Sequence, residues 1–308
     1  MDVHRLELLR ELAERGSVTA VARATNRTAS AVSQQLKVLE REAGIPLTER
    51  HGRGLRLTVA GRALAATATD VAIALERAEA VWEDFTRQPR GEVTLTTFPT
   101  AGEMLLPGLL HALADVPGLV LRCTDQDPLL PDFADLTPDH DVVIADASGV
   151  LPSWRERGLT VVELMREPLD IALRPDHPLA KRAKLSPADL VDEPWIGAPR
   201  EFPYDRILTR IAAIAGRDLN VTQRFFDNGI AEAMVAAGHG IAILPRYTTR
   251  DRENGLVTRP LTGIRSERIL WALVRPDRME RPSVRVVVQA LRAEAAAYTE
   301  RMAARGVA

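Results

Sequence analysis

Cys123 is the single cysteine among 308 residues, so no intramolecular disulfide can form, and no C-x-x-C pair exists to bind zinc. That usage fits a reducing compartment. No stretch approaches the roughly 18 consecutive apolar residues of a membrane-spanning helix, and the opening MDVHRLELLRELAERG lacks the apolar run of a signal peptide. A soluble, unexported, cytoplasmic protein is expected, with no membrane partner. Tandem repeats and low-complexity tracts are missing as well. So are enzyme signatures. There is no G-x-S-x-G, and Gly238-His239-Gly240 lacks a third glycine and follows a helical pattern instead of opening one. His51 has no second metal ligand nearby, His177 and His239 read as structural, and no third hard ligand at a recognisable spacing follows Asp125-Gln126-Asp127. No catalytic residue, cofactor or metal is expected.

What is present is a globular composition, 46% hydrophobic and 27% charged, of a length that suits two or three domains. The net charge of −2 conceals a split. Residues 1–62 hold 11 of the 40 Lys and Arg but only 7 of the 42 Asp and Glu, making this piece +4 and the remainder −6. A small domain able to neutralise phosphates is thus joined to a larger one with no electrostatic reason to touch DNA.

In the small domain, Val3, Leu6, Leu9, Leu12 and Ala13 recur at helical spacing, predicting a helix over 2–14 that Gly16 ends. Ser17 is placed to cap a short helix, Val18 to Ala24, and after the polar break Thr25-Asn26-Arg27, Thr28 is placed to cap a third. In that third helix Ala29, Val32, Leu36 and Leu39 form the apolar row, leaving Ser30, Ser33, Gln34 and Lys37 on the outer face. Short hydrogen-bonding side chains and one cation suit base edges and phosphates in a major groove, and the order of helices is that of a helix-turn-helix. The same face also reads as a solvated helix surface. IPLTERHGRGLRLT then predicts a hairpin whose tip, around Arg53, can reach a minor groove while Arg50 and Arg56 meet phosphates.

From Thr58 to Phe85 the chain contains no proline. Leu64, Ala68, Val71, Leu75, Ala78, Trp82 and Phe85 are spaced alternately four and three apart, the seven-residue repeat of a coiled-coil seam. Packing on its own domain is the competing reading. The following Arg87-Gln88-Pro89-Arg90-Gly91 reads as a linker that isolates the helix, so a second copy of the chain is the expected occupant of the seam, and two copies would offer two recognition helices to a near-palindromic site.

Beyond Gly91, short β runs alternate with helices (EVTLTTF, LVLRCT, HDVVIAD, LDIALR, GIAILP, ILWALV), which predicts α/β lobes with a largely parallel sheet. A second lobe starts near Glu167-Pro168, and the terminal helix from Ser283 to Ala303 returns to the first. Ligands in such sheets collect beyond the carboxyl ends of strands. That places Phe98, Pro99, Thr100, Ala101, Asp146, Arg200, Phe202 and Asn228 as cleft candidates, with Phe98 and Phe202 making an apolar wall and Arg200 able to pair with a carboxylate. Phe98 also reads as core and Arg200 as a solvated loop residue.

LRELAERGSVTAVARAT, TASAVSQQLKVLEREAGIPL and ERHGRGLRLTVAGRAL together resemble the N-terminal domain of the LysR-type transcriptional regulators almost without gaps, and RPDHPLAKRAKLSPADLVDEPWI and AEAMVAAGHGIAILPR look, more loosely, like that family's effector domain. The resemblance implies a winged helix-turn-helix over residues 1–60, a linker and dimerisation helix over 61–90, and an effector-binding domain over 91–308 of periplasmic-binding-protein type II-like fold. Lobe I would span about 91–165 and 266–303, and lobe II about 166–265. It also implies that Ala29, Ser30, Ser33 and Gln34 face bases, that Arg53 enters the minor groove, that dimers often pair into tetramers, and that the loop holding Thr100 serves an anionic effector. Many members have Arg at the position of Gln34 and a bulkier residue at that of Ala29, so the operator does not follow. The expected function is a DNA-binding regulator modulated by a small molecule in the interlobe cleft. The alternatives are a solute-binding or catalytic α/β protein with a basic helical head, or an architectural DNA binder whose sensor does not function.

Overall fold

A computed structural model of the chain describes residues 1–51, 54–86, 91–128, 130–200, 202–249 and 255–305. The head begins with α1 (Val3–Arg15), whose first turn is held by the Asp2 carboxylate accepting from the amides of His4 and Arg5, and which stops at Gly16 in the left-handed conformation, φ 68°. Ser17 caps α2 (Val18–Ala24) and Thr28 caps α3 (Ala29–Ala43), each hydroxyl accepting the amide three residues on. The hairpin is β1 (Thr48–His51) against β2 (Gly54–Leu57). Leu9, Leu12, Val21, Val32, Leu36 and Leu39 make the core between the three helices, closed by Leu47, Leu57 and the start of α4 (Val59–Thr86). Gly61 is obligatory there: a Cβ at that position would stand 2.0 Å from the carbonyl oxygen of Leu47.

The sensor follows as β3 (Gly91–Thr97), α5 (Pro99–Leu113), β4 (Leu119–Asp125), β5 (Val142–Ala147), α6 (Pro152–Glu156), β6 (Thr160–Leu173), β7 (Pro194–Gly197), α7 (Pro203–Ala215), β8 (Asn220–Arg224), α8 (Asn228–Ala236), β9 (Ile241–Pro245), β10 (Val257–Arg259), β11 (Glu267–Val274), α9 (Pro276–Glu280) and α10 (Pro282–Ala304). The strand order is β4-β3-β5-β11-β6-β9-β7-β8, with β10 on β6. Within each lobe the pairing is parallel, β3 with β4 and β5, β7 with β8 and β9. The largely parallel expectation fails at the centre, where β6 and β11 run antiparallel to each other and to their lobe neighbours. The reason is that β6 passes from one lobe to the other, pairing β11 through Thr160–Pro168 and then β9 through Leu169–Ala172, so it is a single strand of both sheets. Trp154 and Phe133 fill the lobe I core beneath α5 and α10, and Trp195 with Ile211 fills that of lobe II.

The isolation expected for α4 is also overturned. It lies along α1 on one side and α9 on the other, with Arg77 reaching Glu280 at 2.9 Å. Around it the head docks on lobe I through buried charge. Arg10 donates to Asp277 at 2.7 Å, while Arg275 meets Glu14 at 2.8 Å, Asp277 at 3.2 Å and Glu11 at 3.3 Å. Arg15 adds Asp139 at 2.7 Å and the carbonyl of Pro138 at 3.0 Å. Helical periodicity does not reveal why Arg10 and Glu11 are buried, because the surface covering them comes from more than 260 residues away in sequence. Charges of this kind are stable only as a complete set. Replacing Asp277 by Ala leaves Arg10 and Arg275 short of a partner, and the unfolding free energy from urea titration should fall by about 3–5 kcal/mol.

Candidate nucleic-acid interface and interlobe cavity

On α3 the row Val32, Leu36 and Leu39 is buried, and Ala29, Ser30, Gln34 and Lys37 are exposed, with Ser33 between these extremes. The Thr28 hydroxyl is occupied as the helix cap and lies 3.0 Å from that of Ser30. The uncovered first turn of α3 adds free amides and a positive dipole end to this face. Sequence reasoning overlooked Glu40, although it stands in the stretch TASAVSQQLKVLEREAGIPL that carries the family resemblance. One of its carboxylate oxygens accepts from the amides of Leu47 and Thr48 at 3.0 and 2.8 Å and from the Thr48 hydroxyl at 2.8 Å, fixing the hairpin relative to α3. Arg50 is exposed on β1, and Arg56 on β2 is held across the hairpin by Glu49 at 2.6 Å. Arg53 lies outside the described residues.

The heptad row of α4 divides. Ala68 is buried in the head's own core and Leu64 and Val71 pack against it, so their apolar faces serve α1 and not a seam alone. Leu75 and Trp82 are exposed, Trp82 at 72%, as is Ala78. The side chain of Phe85 lies outside the described residues.

Between the lobes is a cavity of about 500 Å³. Phe98, Pro99, Thr100, Asp146, Phe202, Asn228 and the adjoining Gly229 line it as the strand ends suggest, and so do Glu103, Asp127, Tyr204, Phe226, Asp227, Glu232, Thr248 and Arg268, which sequence reasoning missed. Ala101 is instead fully buried in the lobe I core, and Arg200 is exposed outside the cavity lining. Helix starts explain the gathering: α5 opens at Pro99, α7 at Pro203 and α8 at Asn228, each following a strand and its connecting loop.

Arg268 organises the floor. It sits on β11 directly opposite Glu167 on β6, and its Nε and Nη2 donate to one Glu167 oxygen at 2.8 and 2.6 Å. Nη2 also donates to the Thr100 hydroxyl at 2.8 Å, and Asp146 stands 3.9 Å from Nη1. The guanidinium carbon lies 5.0 Å from the centre of the Phe98 ring and 5.9 Å from that of Tyr204. Burial works against the charge on Arg268, yet Glu167, Tyr204 and Asp146 together hold its pKa above the ordinary value. The signal for Arg268 was a cation directly abutting the apolar run ILWALV, which Arg275 closes at the other end; both arginines are buried and need partners. Burial pushes the Tyr204 hydroxyl above its ordinary pKa.

A winged helix-turn-helix fused to a two-lobed sensor with a cavity between the lobes defines a DNA-binding regulator that carries an effector-binding domain. Residues 3–62 match the family described as "Bacterial regulatory helix-turn-helix protein, lysR family", and residues 86–296 match "LysR substrate binding domain". The chain belongs to the LysR family of transcriptional regulators. It is 27% identical over 249 residues to the HTH-type transcriptional activator CmpR of Synechocystis, covering 80% of this chain and 79% of that one. In fold it is similar to a full-length OxyR variant from Pseudomonas aeruginosa (TM-score 0.63, 19% identity, 96% and 97% of the two chains) and to full-length CbnR complexed with its target DNA (TM-score 0.54, 22% identity, 96% and 100%). These families and relatives are regulators and not enzymes. Among the described residues no helix is long and apolar enough to cross a membrane, and no group of three His, Cys, Asp or Glu is arranged to hold a metal.

Burial pushes the Asp146 carboxyl from 3.8 up to about 6, against the lowering pull of Arg268. The folded state therefore holds this proton more tightly than the unfolded chain. Its stabilising contribution is complete below about pH 4 and is lost as pH rises through 6. Wild type should lose about 3 kcal/mol relative to Asp146→Asn between pH 4 and 7, read from paired denaturation curves.

Proposed function

We propose that this regulator binds operator DNA through Ala29, Ser30, Ser33, Gln34 and Lys37 in a major groove, with Thr28 and the α3 amides meeting a phosphate, Arg50 and Arg56 meeting others, and Arg53 at the hairpin tip entering a minor groove. The observation that carries this reading is the exposed polar face of α3, held in register with the hairpin by Glu40. A small-molecule effector occupies the interlobe cavity, and its unequal affinity for two lobe arrangements shifts occupancy of the operator. A tenfold shift needs only about 1.4 kcal/mol of difference. Two chains pair along the distal part of α4, where Leu75, Ala78 and Trp82 remain exposed, and pairs of dimers make the tetramer. The protein works in the cytoplasm, where a bacterial operator lies.

Fluorescence anisotropy of full-length protein on its own upstream intergenic DNA, at two salt concentrations, tests the head. Gln34→Ala should cost about 1–3 kcal/mol on the operator and relax base preference at one position. Lys37→Ala should weaken binding to all sequences alike and lower the log–log salt slope by about 1. Saturable binding insensitive to both variants would place the DNA elsewhere. Sedimentation tests the pairing: Leu75→Glu should convert dimer to monomer, and an unchanged dimer would move the interface off this helix.

A further inference from the structure

We propose that the effector carries a positively charged nitrogen, an amine or guanidine, and that the interlobe cavity of this chain is a cation site. The inference rests on the cleft being the effector site, and it reverses the anionic ligand that the family resemblance implies.

Charge balance is the first support. Among the described residues lining the cavity the one cation is Arg268, and it is already neutralised from behind by the fully buried Glu167 at 2.6 Å. A carboxylate ligand would have to displace part of that pair or share its cation with Asp146. Arg200, the residue suited to greet an anion, is exposed and outside the lining. The start of α8 is closed to an anion too, since the Asp227 carboxylate accepts from the Ile230 amide at 3.0 Å.

Unmet polar capacity is the second. Asp146 is 5% exposed, accepts no hydrogen bond from another described residue, and has its only counter-charge 3.9 Å away on an arginine that Glu167 holds more closely. Asp127, on the same lining but exposed, makes no hydrogen bond or ion pair with any described residue and so is open to a ligand cation. The Thr248 hydroxyl on the same cavity is shut from solvent and without a hydrogen-bond partner among the described residues. Acceptors therefore outnumber donors on this wall, and a ligand that brings N–H groups and positive charge satisfies them.

The walls are the third. Phe202 stands edge-on to both Tyr204 and Phe226, ring centres 5.8 Å apart in each pair, so lobe II presents a run of aromatic rings to the cavity. Aromatic faces attract cations as well as apolar stems. Carboxylates beside aromatic rings, in a space of about 500 Å³, suit a compact cation on a short carbon chain.

The test is calorimetric titration of the full-length protein with 1,4-diaminobutane, agmatine and tetramethylammonium, against succinate and benzoate, repeated on Asp127→Asn and Phe226→Ala. Asp127 and Phe226 are both exposed, so these variants should fold, and Asp146→Asn serves as a second carboxylate probe. At least one cation should bind, with affinity at least tenfold weaker in Asp127→Asn and Asp146→Asn, while the anions show no heat. Binding of an anion that Phe226→Ala weakens would leave the cleft as the effector site and overturn the cation. Binding by any probe that none of the three variants changes would remove the ligand from the cleft and take the inference with it. No binding by the three cations up to about 10 mM, weaker than the affinities expected of a sensor, also overturns it.

Discussion

Arg268 is a full positive charge held between two lobes and almost out of reach of water. An isolated buried guanidinium would cost more than a domain's whole stability, so its partners must all be present together. They come from separate parts of the chain: Glu167 from the crossing strand β6, Thr100 and Phe98 from the start of α5, Asp146 from the end of β5, and Tyr204 from the first turn of α7. Four of these belong to lobe I or to the crossing, and Tyr204 alone belongs to lobe II. Any rotation of lobe II about β6 and β11 thus changes the aromatic and electrostatic surroundings of one cation while leaving its strongest bond intact. A ligand in the cavity acts on the same contacts, because the cavity is bounded by them.

The head has a different attachment. α4 is wedged between α1 and α9, and the set Arg10, Glu11, Glu14, Arg275 and Asp277 joins α1 to lobe I in a buried network of opposite charges. Lobe I and the head consequently form the stiffer pair, with lobe II connected to them through two strands and their ladder. On the proposed reading, movement between lobes reaches DNA by altering how lobe II meets other copies of the chain, and not by bending within the head. This division follows from where the buried charges lie, since a network that is costly to break locally makes its two sides move as one.

Local signals in the sequence carried most of the architecture. Gly16, Ser17 and Thr28 each do at a helix end what their chemistry allows, and the spacing of Val32, Leu36 and Leu39 marks the buried side of α3 correctly. The strands of both lobes were visible as short apolar runs. What remained hidden depends on contacts far apart in the chain. The seven-residue row of α4 reads as one seam, yet its first half is used by α1, because periodicity gives a face without naming what covers it. Arg10 and Glu11 fall outside the apolar row of α1, and their cover comes from Asp277 and Arg275, far away in sequence. In the cleft, strand ends pointed to Phe98, Thr100, Asp146, Phe202 and Asn228, whereas Arg268, in the pairing of β11 with β6, required the strand crossing before its location could be known. Ala101 and Arg200 show the limit of that approach: position near a strand end does not say whether a side chain faces cavity, core or water.

The charge split between head and sensor acquires a spatial meaning from the docking. Two of the head's cations, Arg10 and Arg15, are turned toward Asp277 and Asp139 of lobe I and so are withdrawn from any contact with phosphate. Lys37 and Arg50 are exposed on α3 and β1, whereas Arg56 on β2 lines the gap between the head and lobe I beside Arg10 and Asp277. The acidic bulk of the chain is thereby fixed on the side of α1, where a phosphate backbone would be repelled within a Debye length of about 8–10 Å. On the proposed reading a duplex therefore approaches from the α3 side. On that reading, electrostatics that carry no sequence information still favour the orientation in which Gln34 and Ser33 face bases, provided the ion network keeps head and lobe I together.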